Sequence, residues 1–206
     1  MMPTLRTFVG VPISPALVRQ ISGVRTEFRD RTIHWVPEPK LHLTLKFLGE
    51  VEESQIVSIR TALRNALLEI KGFHVTARGL GVFPGNRRPR VLWVRLTAPE
   101  LTLVARQLSS AVEPFGIEGT TKGFHPHATI GRWRSAVHRG RWLQSEMETW
   151  KDRKFGDFPI DEVTLFQSTL RPTGAIYSVL EVFPLKRIGN HPVRTEKQKP
   201  EVSKTH

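Results

Sequence analysis

The chain has 206 residues, 39% of them apolar and 24% charged, with 31 Lys and Arg against 19 Asp and Glu for a net charge of +12. That is the size of one domain or two small lobes, with apolar residues enough for a real core. No run of 18 apolar residues offers a membrane span, and Met1-Met2-Pro3-Thr4-Leu5-Arg6 has no apolar signal core behind it; the absence of Cys excludes disulfides, thiolate nucleophiles, Cys-ligated zinc and iron–sulfur clusters.

These features make the cytoplasm the expected location. Excess positive charge favours a polyanionic partner, most often nucleic acid or a phosphorylated ligand, over a generally basic surface with no dedicated partner. Part of the excess sits at the end of the chain. Residues 186–206 carry Lys186, Arg187, Arg194, Lys197, Lys199 and Lys204 against Glu196 and Glu201, leaving +8 for residues 1–185. With two Pro, a Gly and almost no large apolar residue, 186–206 reads as a basic, disordered tail behind a domain over 1–185.

Thr7 to Val11 reads as a short strand. Ser14-Pro15 then opens a helix, a capping residue followed by Pro at the first helical position. Leu17, Val18, Ile21, Val24 and Phe28 continue it at helical spacing. Leu41, Leu43, Leu45 and Phe47 alternate with His42, Thr44, Lys46 and Leu48 as a strand does. Glu52 and Glu53 precede a helical face of Ile56, Ile59, Leu63, Leu67 and Ile70, which Gly72 is expected to stop. Phe73 to Phe83 and Arg90 to Thr97 read as strands joined by a turn at Pro84-Gly85-Asn86. Leu101, Val104, Leu108, Val112 and Phe115 trace a third helical face, closed by Gly116. A short strand follows at His127–Ile130, then a helix within Arg139–Arg153. The end is a hairpin, with Val163, Leu165 and Gln167 on one arm, a turn at Arg171-Pro172-Thr173-Gly174, and Tyr177, Val179 and Glu181 on the other.

This order repeats. Strand, helix, strand, helix, strand begins near Thr7 and again near Arg90. Ser14 and Pro99 lie 85 positions apart, and so do His42 and His127. Little identity survives at this offset, except His42-Leu43-Thr44 against His127-Ala128-Thr129.

In a strand, residues two apart point the same way. His42 and Thr44 share one face while Leu41, Leu43 and Leu45 enter a core. His127 and Thr129 do the same opposite Ala128 and Ile130. A pseudo-twofold arrangement brings both pairs to one cleft. Two imidazoles near their unperturbed pKa of ~6.5 can divide acid and base work at neutral pH. The hydroxyls can hydrogen-bond an oxyanion. Such a set suits in-line attack on a phosphodiester. One His-x-Thr is common in an ordinary strand; two at matched positions are not. His34, His74 and His138 lack such pairing and read as surface or locally bonded residues. His125 shares the parity of His127, but Pro126 is expected to bend the strand between them. His125, His127 and His42 could supply imidazole ligands to a metal, yet neither motif contains a carboxylate and there is no Cys, so no metal and no cofactor is expected.

The sequence resembles the two-histidine phosphoesterase superfamily, and closely its bacterial and archaeal RNA 2',3'-cyclic phosphodiesterases, formerly called 2'-5' RNA ligases. The resemblance covers residues 4–185. It rests on Leu41-His42-Leu43-Thr44-Leu45-Lys46-Phe47-Leu48-Gly49, Arg88-Pro89-Arg90-Val91-Leu92-Trp93, Phe124-His125-Pro126-His127-Ala128-Thr129-Ile130-Gly131-Arg132, and Ser168 to Tyr177. It implies a bilobal α+β fold, with two pseudo-symmetric antiparallel sheets flanked by helices and the active-site cleft between the lobes. It implies metal-independent hydrolysis of a terminal RNA 2',3'-cyclic phosphate to a 2'-phosphate, by a monomer, with tRNA fragments among the conceivable substrates. His42 is then the proton donor, His127 the proton acceptor, and Thr44 and Thr129 hold phosphate oxygens.

Arg132, five residues beyond His127, could reach a phosphate bidentately or be an ordinary surface Arg. Phe8 could stack on a base or be a core Phe. Trp93 and Trp35 read as core or cleft wall. Arg87, Arg88 and Arg90 either track RNA backbone or are merely solvated. Two alternatives stand beside hydrolysis: 2'-5' ligation of cyclic-phosphate and 5'-hydroxyl ends by the same site, and a non-catalytic RNA-binding module, which would need neither histidine.

Overall fold

A computed structural model describes residues 3–118, 123–134, 140–172 and 174–187. Its strands are β1 (Thr4–Pro12), β2 (His34–Trp35), β3 (His42–Glu52), β4 (Phe73–Phe83), β5 (Val91–Thr97), β6 (His127–Arg132), β7 (Lys154–Ile160), β8 (Glu162–Thr169) and β9 (Ile176–Pro184). Its helices are α1 (Pro15–Ser22), α2 (Val24–Glu27), α3 (Ile56–Leu67), α4 (Pro99–Val112) and α5 (Gly140–Trp150). The chain end beyond Arg187, His138 and Thr173 lie outside the described residues.

All pairings are antiparallel, in the order β7-β4-β5-β6-β3-β1-β8-β9, with β2 beside β6. The two halves expected as separate sheets are joined into one, and the join is narrow. β3 and β6 share one paired position, Leu43 opposite Ala128. On one side stand β3, β1, β8 and β9; on the other, β6, β5, β4 and β7. β4 follows the first helix pair yet joins the second half, and β8 returns to the first, so the repeats exchange strands. The helices lie on the apolar face, with α4 against β3 and α1 against β7. Val9, Leu43, Leu63, Leu92, Val94, Leu108, Ala128 and Leu165 belong to one buried core shared by both halves.

Local signals explain most boundaries. The Ser14 hydroxyl accepts from the Leu17 N–H, capping α1 ahead of Pro15. Gly116 ends the turn after α4 at φ +75°, where a side chain would be strained. Gly72 does not stop α3, which ends at Leu67; it permits a close approach instead, since a Cβ there would lie 2.8 Å from the Asp161 Oδ1. That contact lies where the chain end is tied in. The Lys186 N–H donates to Ile70 C=O and the Gly72 N–H donates to Lys186 C=O, each at 2.8 Å.

Strands β2 and β7 carry no clear sequence signal. β2 is two residues long. β7 contains Gly156 and Pro159, tolerable because it is an edge strand paired only with β4. The strict alternation expected through β3 also fails. Gly10 pairs with Thr44 but Val9 pairs with Lys46, so Leu45 is an extra, bulged residue. Parity flips there. Lys46 becomes 5% exposed, its ammonium donating to the Glu118 carbonyl, while Phe47 turns outward at 67% exposed.

Candidate active site

The seam builds the site. Leu43 and Ala128 are fully buried on the core face, so their neighbours project from the opposite, concave face. Antiparallel pairing about that position sets His42 beside Thr129 and Thr44 beside His127. The four side chains are half-buried and form one polar patch with a local twofold through its centre.

The twofold extends to detail. His42 Nδ1 donates to the Lys40 carbonyl at 2.7 Å, and His127 Nδ1 to the His125 carbonyl at 2.6 Å. A carbonyl only accepts, so both Nδ1 atoms carry hydrogen and both Nε2 atoms face the cleft free to take or give a proton. The bulge is duplicated too. Trp93 pairs with Thr129 and Leu92 with Gly131, leaving Ile130 extra, as Leu45 is in β3.

Aromatic rings back each imidazole. Phe8 lies 4.9 Å from His42 between ring centroids and Tyr177 lies 5.1 Å from it. Phe83 and Trp93 lie 5.1 and 5.8 Å from His127. Trp93 fits because Gly81, paired with it across β4 and β5, has no side chain; a Cβ there would come within 2.2 Å of the indole. Burial pushes both histidines below their ordinary pKa. The carbonyl bonds oppose that shift. His127 and Arg132 add to it at His42, and His125 and Arg132 at His127. Both imidazoles are therefore more readily neutral than two unperturbed histidines.

Arg132 is exposed at the end of β6, and its charge reaches both rings. Phe8 is a correction. At 3% exposed, with Phe47, Phe166, Tyr177 and His42 around it, it has no open face for a base and serves as a support. His125 is exposed, 6.2 Å from Phe83 between ring centroids. His34, read from sequence as an isolated surface residue, pairs with Arg132 in β2 and shares its face. His74 pairs with Pro159 at the far edge of the sheet. Trp35 packs on the core. Arg90 donates to the Arg134 carbonyl, while Arg87 and Arg88 are exposed on the β4–β5 turn. Tyr177 and Phe47 escaped the sequence reading, the first because only the folded β8–β9 hairpin brings it to His42. Among the described residues, no three His, Cys, Asp or Glu side chains converge as a metal site requires.

A continuous antiparallel sheet with twinned His-x-Thr strands at its seam defines a two-histidine phosphoesterase, and comparison with known proteins agrees. The sequence profile of the LigT-like phosphoesterases matches residues 11–93. The RNA 2',3'-cyclic phosphodiesterase of Aquifex aeolicus is 31% identical, over 89% of this chain and 99% of that protein. The protein of that name from Methanocaldococcus jannaschii is 29% identical over 86% of this chain and 99% of its own length. A Thermus thermophilus protein of known crystal structure superposes with a TM-score of 0.77 at 29% identity, over 89% of this chain and 100% of that one. The chain belongs to the RNA 2',3'-cyclic phosphodiesterase family.

Proposed function

We propose that this protein hydrolyses the 2',3'-cyclic phosphate at an RNA 3' end to a 2'-phosphate and a free 3'-hydroxyl. The observation that carries the reading is the meeting of two free Nε2 atoms and two Thr hydroxyls across the β3–β6 seam. In the reaction, His127 Nε2 accepts a proton from water as its oxygen attacks phosphorus. The bond from phosphorus to the 3' oxygen breaks, and His42 Nε2–H donates its proton to that oxygen. The electron pair of the broken bond stays with the 3' oxygen, and the two imidazoles end with exchanged protonation. An alkoxide is a poor leaving group, so its protonation matters; acid or base help of this kind gives ~10²–10⁴-fold per group. Thr44 and Thr129 donate to the non-bridging oxygens, where charge accumulates. Arg132 adds a cation to the same anion.

The set of groups needs no metal for this chemistry. The protein acts as a cytoplasmic monomer on RNA fragments, cleaved tRNA among them. An oligoribonucleotide ending in a 2',3'-cyclic phosphate tests the reading, incubated with EDTA present and the product's phosphate located. A 2'-phosphate product at undiminished rate is expected. A 3'-phosphate, or loss of turnover with EDTA that zinc or manganese restores, would defeat it.

A further inference from the structure

The site's twofold is broken at one pair of positions. Lys40 and His125, His42 and His127, Thr44 and Thr129, and the bulged Leu45 and Ile130 all correspond at the same 85-residue offset. One step beyond the twin bulges, that offset matches Phe47 with Arg132. Phe47 pairs with Phe8 and Arg132 with Val91, so both sit on the cleft face of their strands. Beside His127 the cleft offers an exposed guanidinium. Beside His42 it offers an exposed phenyl ring.

We infer that Phe47 is the platform on which the terminal nucleobase of the substrate stacks. The inference rests on the cyclic phosphodiesterase reading and names which part of the RNA each wing receives. Phe47 is 67% exposed, the most open aromatic of the described residues, on a face otherwise committed to phosphate chemistry. Its other side rests on a rigid stack. Its ring lies 6.2 Å from Phe8, which lies 5.0 Å from Phe166 and 4.9 Å from His42. Phe8 thus bridges the imidazole and the platform, and the two stand within one nucleoside's span. The paired row Phe47, Phe8, Phe166 and Val179 makes this wing apolar across four strands. A flat base can cover it; a phosphate gains nothing there.

The placement has a consequence for the symmetric pair of histidines. With the nucleoside on the Phe47 wing, its ribose and 3' oxygen lie toward His42. Water then enters in line from the His127 side. The broken symmetry accounts for a donor and an acceptor built from equivalent strands. Stacking also tolerates every base, since each has a π-face, so the terminal base is held without being strictly selected.

The test compares two oligoribonucleotides of one sequence, one ending in adenosine 2',3'-cyclic phosphate, the other in an abasic ribose 2',3'-cyclic phosphate. The wild-type protein should show the lower KM for the base-bearing end. Phe47→Ala should raise that KM roughly 5- to 150-fold and erase the preference, whereas Phe47→Trp should keep it. A rise of equal size for both ends, a fall in kcat alone, or an unchanged KM would overturn the assignment while leaving the reaction intact. A wild-type protein inert on both ends would overturn the cyclic phosphodiesterase reading and this inference with it.

Discussion

A histidine that commits Nδ1 to a carbonyl has one nitrogen left for chemistry, and His42 and His127 share that condition. Burial lowers both below an ordinary imidazole, chiefly by penalising the charged form. The active form needs one neutral and one protonated ring, so kcat/KM should follow a bell whose limbs are both imidazoles of the free enzyme. It rises as the base loses its proton and falls as the acid loses its own. With both values depressed, the maximum should lie below the ordinary imidazole pKa of ~6.5. An anionic phosphodiester favours protonated rings, so the kcat profile should shift to higher pH. A kcat/KM maximum above pH ~7 would contradict the burial that lowers them. Their roles separate with a leaving group that needs little protonation. On a nitrophenyl phosphodiester, His42→Ala should recover much of the rate it loses on RNA. His127→Ala should not, because water still lacks its base. Rescue of the other variant would exchange the roles.

At the scale of strands, the twin bulges shape the site. A regular β3 would have carried Phe47 into the core beside Leu43 and left Lys46 on the cleft face. The extra residue reverses both, and the same device after Thr129 turns Arg132 toward the cleft. The alternation of β3 was legible up to Thr44, because apolar and polar residues take turns there. The bulge was not, since Leu45-Lys46 carries none of the Gly or Pro signals that mark an irregular strand. His42 and His127 were legible as a pair through spacing and type; Tyr177 and His34 were not, because only folding brings them near. β7 was hidden by Gly156 and Pro159, residues an edge strand tolerates. Close strand approach at the site also leaves a test. Gly10 pairs with Thr44, and a Cβ there would stand 2.6 Å from the Leu43 carbonyl oxygen, which is backbone and cannot swing aside. Gly10→Ala should cost about 1–3 kcal/mol of stability. It should also lower kcat by displacing Thr44 and His42. Thermal melting and single-turnover rates read the two effects, and a variant with wild-type values for both would show that β1 and β3 have slack at the seam.

Across the whole molecule, one sheet with a one-pair seam makes a single rigid cleft from two repeats. The exchange of β4 and β8 and the packing of α4 on β3 and α1 on β7 tie the halves together. Charge is distributed less evenly. Glu27, Glu69 and Glu181 are engaged by Arg153, Lys186, and Arg60 with Arg64. Arg87 and Arg88, by contrast, stand exposed on the turn that follows Phe83, and the row Phe83, Val91, Arg132 leads from that turn to the catalytic pair. Cations there can pair with phosphates upstream of the terminal nucleotide, and each pairing releases counterions from a single strand. The logarithm of kcat/KM should then fall with the logarithm of salt by about 0.7 for each phosphate neutralised. A mononucleoside 2',3'-cyclic phosphate has no upstream phosphate and should show a shallow slope. A ten-residue RNA with the same end should show a steeper one. Arg87→Ala and Arg88→Ala should each reduce the long substrate's slope by up to ~0.7 while leaving the short substrate's slope in place. Equal slopes for both lengths would mean that the protein reads only the terminal nucleotide and that its net charge of +12 acts merely as a diffuse field.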